Sequence, residues 1–301
     1  MLRSFKELLN RARRYGRVTV SVAAAQDRDA LAAVKAAVEE GLINAILVGD
    51  IAAIRPMLSD IGLPAETSLV HAPDVRQAAL AATSLVRAGK AQVLMKGLVN
   101  SGDFLRAVLN EEVGLRTGRL LSHLSAYEIP GGEKIVFHTD GGINIAPTLA
   151  EKKDILVNAL MALAALGIER PNVAVLAANE VVSAKMPVTL DAKALADMGR
   201  RGELPLCVIE GPVSMDVALS AEAAAHKSIP SSVAGKVDLF VVPSIEAGNL
   251  LSKALIFYAG FKNAGVVLGA THPVVMVSRA DSAEAKLHSI ALACCLAWAG
   301  K

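Results

Sequence analysis

VTVSVAAAQDRDALAAVKAAVEEGLINAILV, residues 18–48, reads as one complete β-α-β unit and decides the fold class. Residues 18–22 are a β-branched run of strand type. Residues 27–40 follow as an alanine-rich helix capped by Asp27 and stopped at Gly41. Residues 43–48 are the next strand. A strand, a helix and a second strand in this order put the two strands parallel, with the helix on one face of the sheet.

Working outward, the same alternation continues nearly end to end. Residues 73–88 read as a helix, 92–95 as a strand and 101–110 as a helix after the turn KGLVNSGD. The texture then changes. Residues 120–129 and 134–138 are short strands separated by Pro130, Gly131 and Gly132, an antiparallel excursion, so the sheet is expected to be mixed. From Pro147, TLAEKKDILVNALMALAALG reads as a long helix with Thr148 at its start and Gly167 at its end. Strands at 173–177, 206–209 and 239–242 follow, each succeeded by polar turns and helices. A domain change is expected near Pro147 and a return to the first domain near His272, giving residues 1–147 plus 273–301 as one α/β domain and 148–272 as another.

The composition suits this reading. Among 301 residues, 53% are hydrophobic and only 3% aromatic, the mix of small-residue helices on buried parallel strands. Charges nearly balance, with 31 basic and 29 acidic residues, so no long-range field favours nucleic acid or an anionic membrane. The run Arg11, Arg13, Arg14 and Arg17 lies on an amphipathic segment with Leu2, Phe5, Leu8 and Leu9 at helical spacing, and reads as a solvated helix face. No signal-peptide core and no span of membrane length is seen, so a cytoplasmic protein is expected. Cys207, Cys294 and Cys295 do not make a disulfide framework, and the scattered histidines give no metal site.

Phosphate and nucleotide fingerprints are absent: there is no GxxxxGK[ST], no GxGxxG after the first strand and no GxSxG. Four strand-to-helix junctions instead carry polar residues beyond what a loop requires, and in an α/β sheet ligands collect at such strand ends. The first runs from Thr139 through Asp140, Gly141 and Gly142 to Asn144. The second is Glu210 to Asp216, the third Pro243 to Asn249 with Glu246 and, a helical turn on, Lys253. In the third, Gly248 in a first helical turn points to close packing or ligand approach. The fourth lies in PVVMVSRADSAEAKLH, residues 273–288, where Ser278 and Arg279 bring a hydroxyl and a guanidinium to a helix start, a combination that suits a phosphate-sized anion. There Asp281 and Glu284 also match a helix-capping arrangement.

EGPVSMDVALS (210–220), VVPSIEAGNLLSKAL (241–255) and GATHPVVMVSRADSAEAKLHSIALA (269–293) together resemble the phosphate acetyltransferase and phosphate butyryltransferase family. The resemblance covers most of the chain and is closer to the butyryltransferase branch. It implies a two-domain, mixed-sheet α/β/α fold like that of isocitrate and isopropylmalate dehydrogenases, with the active site in the interdomain cleft. It also implies reversible transfer of a short acyl group from acyl-CoA to inorganic phosphate without a covalent enzyme intermediate. Acyl-CoA and CoA are then substrates, no cofactor is tightly bound, and the chain forms a dimer or larger homo-oligomer.

By the same resemblance, Arg279 binds phosphate and transition-state charge, and Ser278 hydrogen-bonds near the thioester carbonyl or sulfur. Ser122 matches the first of two phosphate-holding serines, with His123, its role open, in place of the second. Asp140, Asn144, Asp216, Glu246, Asn249 and Lys253 are the candidate substrate-binding residues. The acetyltransferase aspartate, seven residues after the motif serine, is Ala285 here. Either Asp281 or Glu284 replaces it, Asp281 being nearer the expected anion site, or the thiolate leaves with help from Arg279 and backbone donors alone. Alternatives are a phosphate acetyltransferase, a metal-dependent decarboxylating dehydrogenase of the same fold, for which no ligand cluster is seen, and a non-catalytic acyl-CoA-sensing domain.

Overall fold

The computed structural model describes residues 2–278 and 281–299. The chain divides into two compact units, a central one (Met1–Ser4 and Leu120–Asn263) and an N-terminal one (Phe5–Arg119 and Ala264–Lys301). Each carries part of a mixed sheet with helices against it.

In the N-terminal unit, β1 (Val18–Ala23), β2 (Ile43–Gly49), β3 (Ser68–His71), β4 (Val93–Lys96), β10 (Lys262–Leu268) and β11 (Val274–Val275) lie in the order β3-β2-β1-β4-β11-β10. All neighbours are parallel except β10 and β11. The opening β-α-β unit is as expected: β1 pairs with β2 from Val18↔Ile43 to Ala23↔Val48, with α2 (Arg28–Glu39) between them in sequence. Asp27 caps α2 by accepting from Asp29 and Ala30 N–H, a cap worth about 1 kcal/mol. Val20, Val22, Leu47, Val93, Leu94 and Met95 are wholly buried, each worth roughly 1.5–3 kcal/mol. Such continuous burial is why these strands read as apolar runs rather than alternating ones.

Helices α1 (Phe5–Tyr15), α3 (Ile51–Ile61), α4 (Val75–Arg87), α5 (Ser101–Val108) and α11 (Ala283–Ala299) complete this unit. The basic residues of α1 include Arg11, paired with Glu7, and Arg13, which bonds Asn10. Helix α11 packs on α1 and α2 and is apolar on nearly every side. Its buried His288 stacks on Phe5 with ring centroids 4.2 Å apart, and its buried Ser289 accepts from Gly265 N–H and donates to the Ala285 carbonyl.

In the central unit, β5 (Ser122–Glu128), β6 (Ile135–Thr139), β7 (Asn172–Leu176), β8 (Val208–Val213) and β9 (Leu239–Val241) lie in the order β5-β6-β9-β7-β8. The expected antiparallel excursion is the β5–β6 hairpin; the other pairs are parallel. Helices α6 (Leu149–Ala165), α7 (Pro187–Arg200), α8 (Met215–Leu219), α9 (Ala221–His226) and α10 (Ile245–Phe257) connect them. Thr148 and Glu151 form a capping box at the start of α6, and Gly167 just beyond its end has φ +79°.

The boundaries differ from those expected near Pro147 and His272. The first falls before the hairpin, because β6 pairs with β9 (Phe137↔Leu239) and so carries residues 120–147 into the central unit. The second falls after Asn263, because β10 returns to pair with β11 beside β4. A second difference concerns residues 206–209, read as a strand ending before Glu210. Strand β8 instead runs through Glu210, Gly211 and Pro212 to Val213. There the Glu210 carboxylate accepts from Ser231 Oγ and from Ser232 N and Oγ, closing the loop before β9.

Candidate active site

The sequence-predicted residues fall into separate groups, taken here unit by unit. In the N-terminal unit a cavity of about 430 Å³ opens at the carboxyl ends of β1, β4 and β11. Ser278 lines it, as do Gln26, Asp27, Arg28 and Asp29 of the β1–α2 junction, Lys96 and Gly97 of the β4–α5 junction, and Lys286 of α11. Arg279 lies outside the described residues. Asp281 differs from its capping role: its Oδ2 accepts from Ser278 N–H at 2.8 Å while its own N–H donates to Ser278 O at 3.1 Å. The carboxylate thus braces the backbone at Ser278. The cap of α11 is Ser282, whose Oγ accepts from Ala285 N–H at 3.1 Å.

Glu284 is exposed, with a carboxylate oxygen 3.9 Å from His288 Nε2. Ala285 is 3% exposed, turned into the packing of α11. An acid at that position would sit in the interior, which gives a physical reason for alanine here.

In the central unit, Asp140 is the organising residue. It is buried, and its carboxylate accepts four hydrogen bonds: Oδ1 from Gly142 N and Ile143 N at 2.8 and 2.9 Å, Oδ2 from His123 N at 3.1 Å and Asn144 Nδ2 at 2.6 Å. Asn144 also donates to Leu121 O at 2.9 Å. Ser122 is buried at the start of β5, its Oγ accepting from Asn158 Nδ2 at 3.1 Å. Ser122, Asp140 and Asn144 are therefore brought together, with the charged group fully engaged in shaping backbone. His123 packs against Gly142, where a Cβ would lie 2.9 Å from its Cγ, and its Nδ1 is 3.2 Å from Ser125 Oγ.

Helix α10 docks onto this turn through two glycines. A Cβ on Gly248 would lie 2.6 Å from Gly141 Cα, so close packing, not only helix propensity, fixes glycine there. Asn249 Nδ2 reaches Gly141 O at 3.5 Å. Glu246 is exposed, and a hydrogen bond from Ser244 holds its carboxyl below the ordinary range. Lys253, one turn on, has its Nζ 5.9 Å from the centre of the Phe257 ring.

Beneath this region lies a buried network. His138 Nε2 is 3.0 Å from both Tyr127 Oη and Ser252 Oγ, while Tyr127 donates to Ser252 and Ser252 to Gly248 O. With both hydroxyl protons so assigned, the ring nitrogen facing them carries the proton. His138 Nδ1 is buried without a hydrogen-bond partner. Burial, reinforced by the charge of His123, pushes the His138 pKa down to about 3, so the ring is neutral at working pH.

Asp216 belongs to another group. Its carboxylate shares Lys227 and the Ser214 hydroxyl with Glu180. The hydrogen bond from Ser214, then that from Lys227, lowers the Asp216 pKa to about 2. Burial alone would raise Glu180, but the bonds from Ser214 and Lys227 bring it below the usual range. One lysine and one hydroxyl proton serving two carboxylates make a closed ionic cluster.

Gln26, Lys96 and Lys286 also line the cavity of the N-terminal unit and were not singled out from the sequence. Only Lys96 left a signal, as a cation ending the buried run VLM before glycine. Burial raises the thiol pKa of Cys207 and Cys294, and that of Cys295 to about 12. No group of three or more His, Cys, Asp or Glu that could hold a metal occurs among the described residues.

A family model described as "Phosphate acetyl/butaryl transferase" matches residues 67–294. A phosphate butyryltransferase of Clostridium acetobutylicum is 46% identical over 298 residues, 99% of each chain. A phosphate acetyltransferase of Thermotoga maritima is 38% identical, covering 95% of this chain and 97% of that protein. The crystal structure of a branched-chain phosphotransacylase from Enterococcus faecalis superimposes with a TM-score of 0.82 at 34% identity, covering 93% of this chain and 99% of that one. With nearly its whole length matched by such relatives, the chain belongs to the phosphate acetyltransferase and butyryltransferase family of acyltransferases.

Proposed function

We propose that this chain is a phosphate butyryltransferase that transfers a short acyl group reversibly between CoA and inorganic phosphate. The observation that carries the reading is the 46% identity over 298 residues to a phosphate butyryltransferase. A phosphate oxygen attacks the thioester carbonyl, the C–S bond breaks, and acyl phosphate and CoA leave, the phosphate proton passing to the thiolate sulfur. Attack is direct. Thiols held protonated by burial are poor nucleophiles, which supports a reaction without an acyl-enzyme.

Arg279 binds phosphate and the developing oxyanion, and Ser278 donates to the carbonyl oxygen or sulfur. Asp281 handles the proton, held close to Ser278 by its hydrogen bond from Ser278 N–H; Glu284 is the second candidate. Ser122, Asp140, Asn144, Glu246, Asn249 and Lys253 bind substrate or shape the backbone that does. Asp216 is the weakest member of this set, given its closed cluster with Lys227.

The chain acts as a homo-oligomer. Phe257 and Tyr258, at the end of α10, are 67% and 94% exposed, and Leu250 on the same helix is 71% exposed, more apolar surface than a lone protomer usually carries on one element. Light scattering during size-exclusion chromatography tests this. A cytoplasmic location suits the three unpaired cysteines. No helix among the described residues is long and apolar enough to cross a membrane.

The test is thiol release from acetyl-, butyryl- and branched-chain acyl-CoA with and without phosphate. The reading expects phosphate-dependent release, fastest with four carbons, and loss of activity in Arg279→Ala. CoA binding with no release at saturating phosphate would mark an acyl-CoA sensor instead.

A further inference from the structure

We infer that the acyl chain of the thioester rests on Leu98, which thereby sets the chain lengths this protein accepts; this rests on the phosphate acyltransferase reading. The cavity of about 430 Å³ that Ser278 lines is bounded by charged residues, among them Arg28 and Lys286, and by the apolar side chains of Met57, Leu98 and Val277. Ala30 and Met95 line it too, but at 4% and 0% exposure they offer almost no surface. Met57 and Val277 are half-buried, whereas Leu98 is 44% exposed and so presents the most apolar surface of the three.

Strand register brings Leu98 and Ser278 to the same place. Parallel strands β4 and β11 pair Met95 with Val275, and Leu98 and Ser278 each stand three residues beyond that pair (98 less 95, 278 less 275). Val277, the residue before Ser278, belongs to the same apolar lining. The first methylene of an acyl chain is bonded to the carbonyl carbon, so the surface receiving the chain must begin beside the group that holds the carbonyl. Val277 and Leu98 meet that condition. The charged residues do not suit a hydrocarbon: Arg28 pairs with Asp60 and Lys286 lies 3.6 Å from Asp29, and covering such groups with a methylene chain costs their hydration.

An exposed leucine by itself needs no explanation. Leu98 differs because its backbone is fixed on every side. Its N–H donates to Ala24 O at 2.7 Å, Gly97 N donates to Ala23 O at 2.9 Å, and Val99 N donates back to Gly97 O at 2.9 Å. A Cβ on Gly97 would lie 2.4 Å from Ala24 O and 2.8 Å from Ala23 O, so the backbones meet with no room for a side chain. Ala24 itself holds φ +51°, an uncommon conformation for a residue with a Cβ. Leu98 is therefore a wall set before substrate arrives. A fixed wall discriminates by fit: a shorter chain leaves it wet and a longer one collides with it. Met57, unbranched and with three rotatable bonds, adapts to whatever chain is present.

The experiment uses Leu98→Asn, similar in size but polar, and Leu98→Phe, larger and apolar, in the full chain. Dissociation constants of CoA, acetyl-CoA and butyryl-CoA are measured without phosphate, so that no turnover occurs. The parent should bind butyryl-CoA about 10- to 15-fold more tightly than acetyl-CoA, two buried methylenes at about fourfold each. Leu98→Asn should cut that preference below about threefold and leave CoA binding unchanged. Leu98→Phe should weaken butyryl-CoA about 10-fold or more and acetyl-CoA less than about threefold, and with phosphate present kcat/KM should follow the same order. A parent with a Leu98-dependent butyryl preference in binding but no thiol release with phosphate sinks the acyltransferase reading and leaves the acyl site standing. A butyryl-to-acetyl ratio within about twofold of the parent's in both variants, by binding or by turnover, overturns the assignment. Equal weakening of CoA and both acyl-CoAs overturns it too, since Leu98 would then meet the pantetheine arm, as does a parent that binds butyryl- and acetyl-CoA equally. If Leu98→Asn fails to fold, Leu98→Ala replaces it under the same criteria.

Discussion

Gly248→Ala separates two effects that usually act in opposite directions. In an ordinary helix the change is favourable, by about 0.8–1.0 kcal/mol, because alanine loses less backbone entropy. In α10 the added Cβ would lie 2.6 Å from Gly141 Cα, 2.8 Å from Val242 Cγ2 and 3.1 Å from Gly141 N. Carbon contacts settle near 3.5–4.0 Å, so the helix and the turn must part by roughly 1 Å. The turn cannot give easily, because Asp140 holds Gly142, Ile143, His123 and Asn144 around it. Overpacking costs about 1–3 kcal/mol, and opposing backbone atoms argue for the upper end, leaving a net loss of about 2 kcal/mol. Gly102→Ala is the matched control. Its Cβ would meet nothing nearer than 3.5 Å in the first turn of α5, so it should stabilise by up to about 1 kcal/mol. The two sites lie in different units, and the single tryptophan, Trp298, is in the N-terminal one with Gly102. Urea unfolding followed by tryptophan emission and by far-ultraviolet circular dichroism should show a higher tryptophan midpoint for Gly102→Ala. Gly248→Ala should show a lower dichroism midpoint. A Gly248→Ala protein as stable as the parent would refute the packing argument.

Two further outcomes follow from buried groups of the central unit. His138 has a folded pKa of about 3 against 6.5 in the unfolded chain, so the unfolded state takes up the proton first. Its contribution is complete above pH 6.5 and is lost as pH falls toward 3, at up to roughly 1.4 kcal/mol per pH unit. Urea midpoints measured from pH 7 to 4.5 should slope less steeply in His138→Gln; an unchanged slope would show that another group carries the proton. Asp140→Asn turns one acceptor oxygen into a donor facing His123 N–H or the Asn144 amide. Losing those charge-assisted bonds should cost about 3 kcal/mol in a denaturation experiment, and a cost under about 1 would mean the turn does not depend on the carboxylate.

The elements of this fold were largely legible because their physics is local. The apolar runs of β1, β2 and β4, the Asp27 cap and the Thr148 start of α6 each lie within a few residues of the structure they make. Strand β8 was read too short because Glu210, Gly211 and Pro212 look like a turn, and only Ser231 and Ser232, distant in sequence, satisfy that carboxylate. The helix α3 and strand β3 left no reading at all, β3 being four residues with no fully buried position.

By itself the sequence determined the alternation of strand and helix, the mixed character of the sheet and the family, since these rest on periodicity, caps and contiguous motifs. Tertiary structure decided which polar residues meet. Asp281 became the brace of Ser278 rather than the cap of α11, because the Ser282 hydroxyl reached the helix first. Asp216 was drawn to Lys227, and Asp140 became a four-bond anchor. Lys96 came to the edge of the Ser278 cavity because β4 lies between β1 and β11, strands whose first residues are 256 apart in the chain by number (274 less 18). A hydrogen bond forms only at about 3 Å, and which groups come that close depends on strand order, which no local pattern encodes.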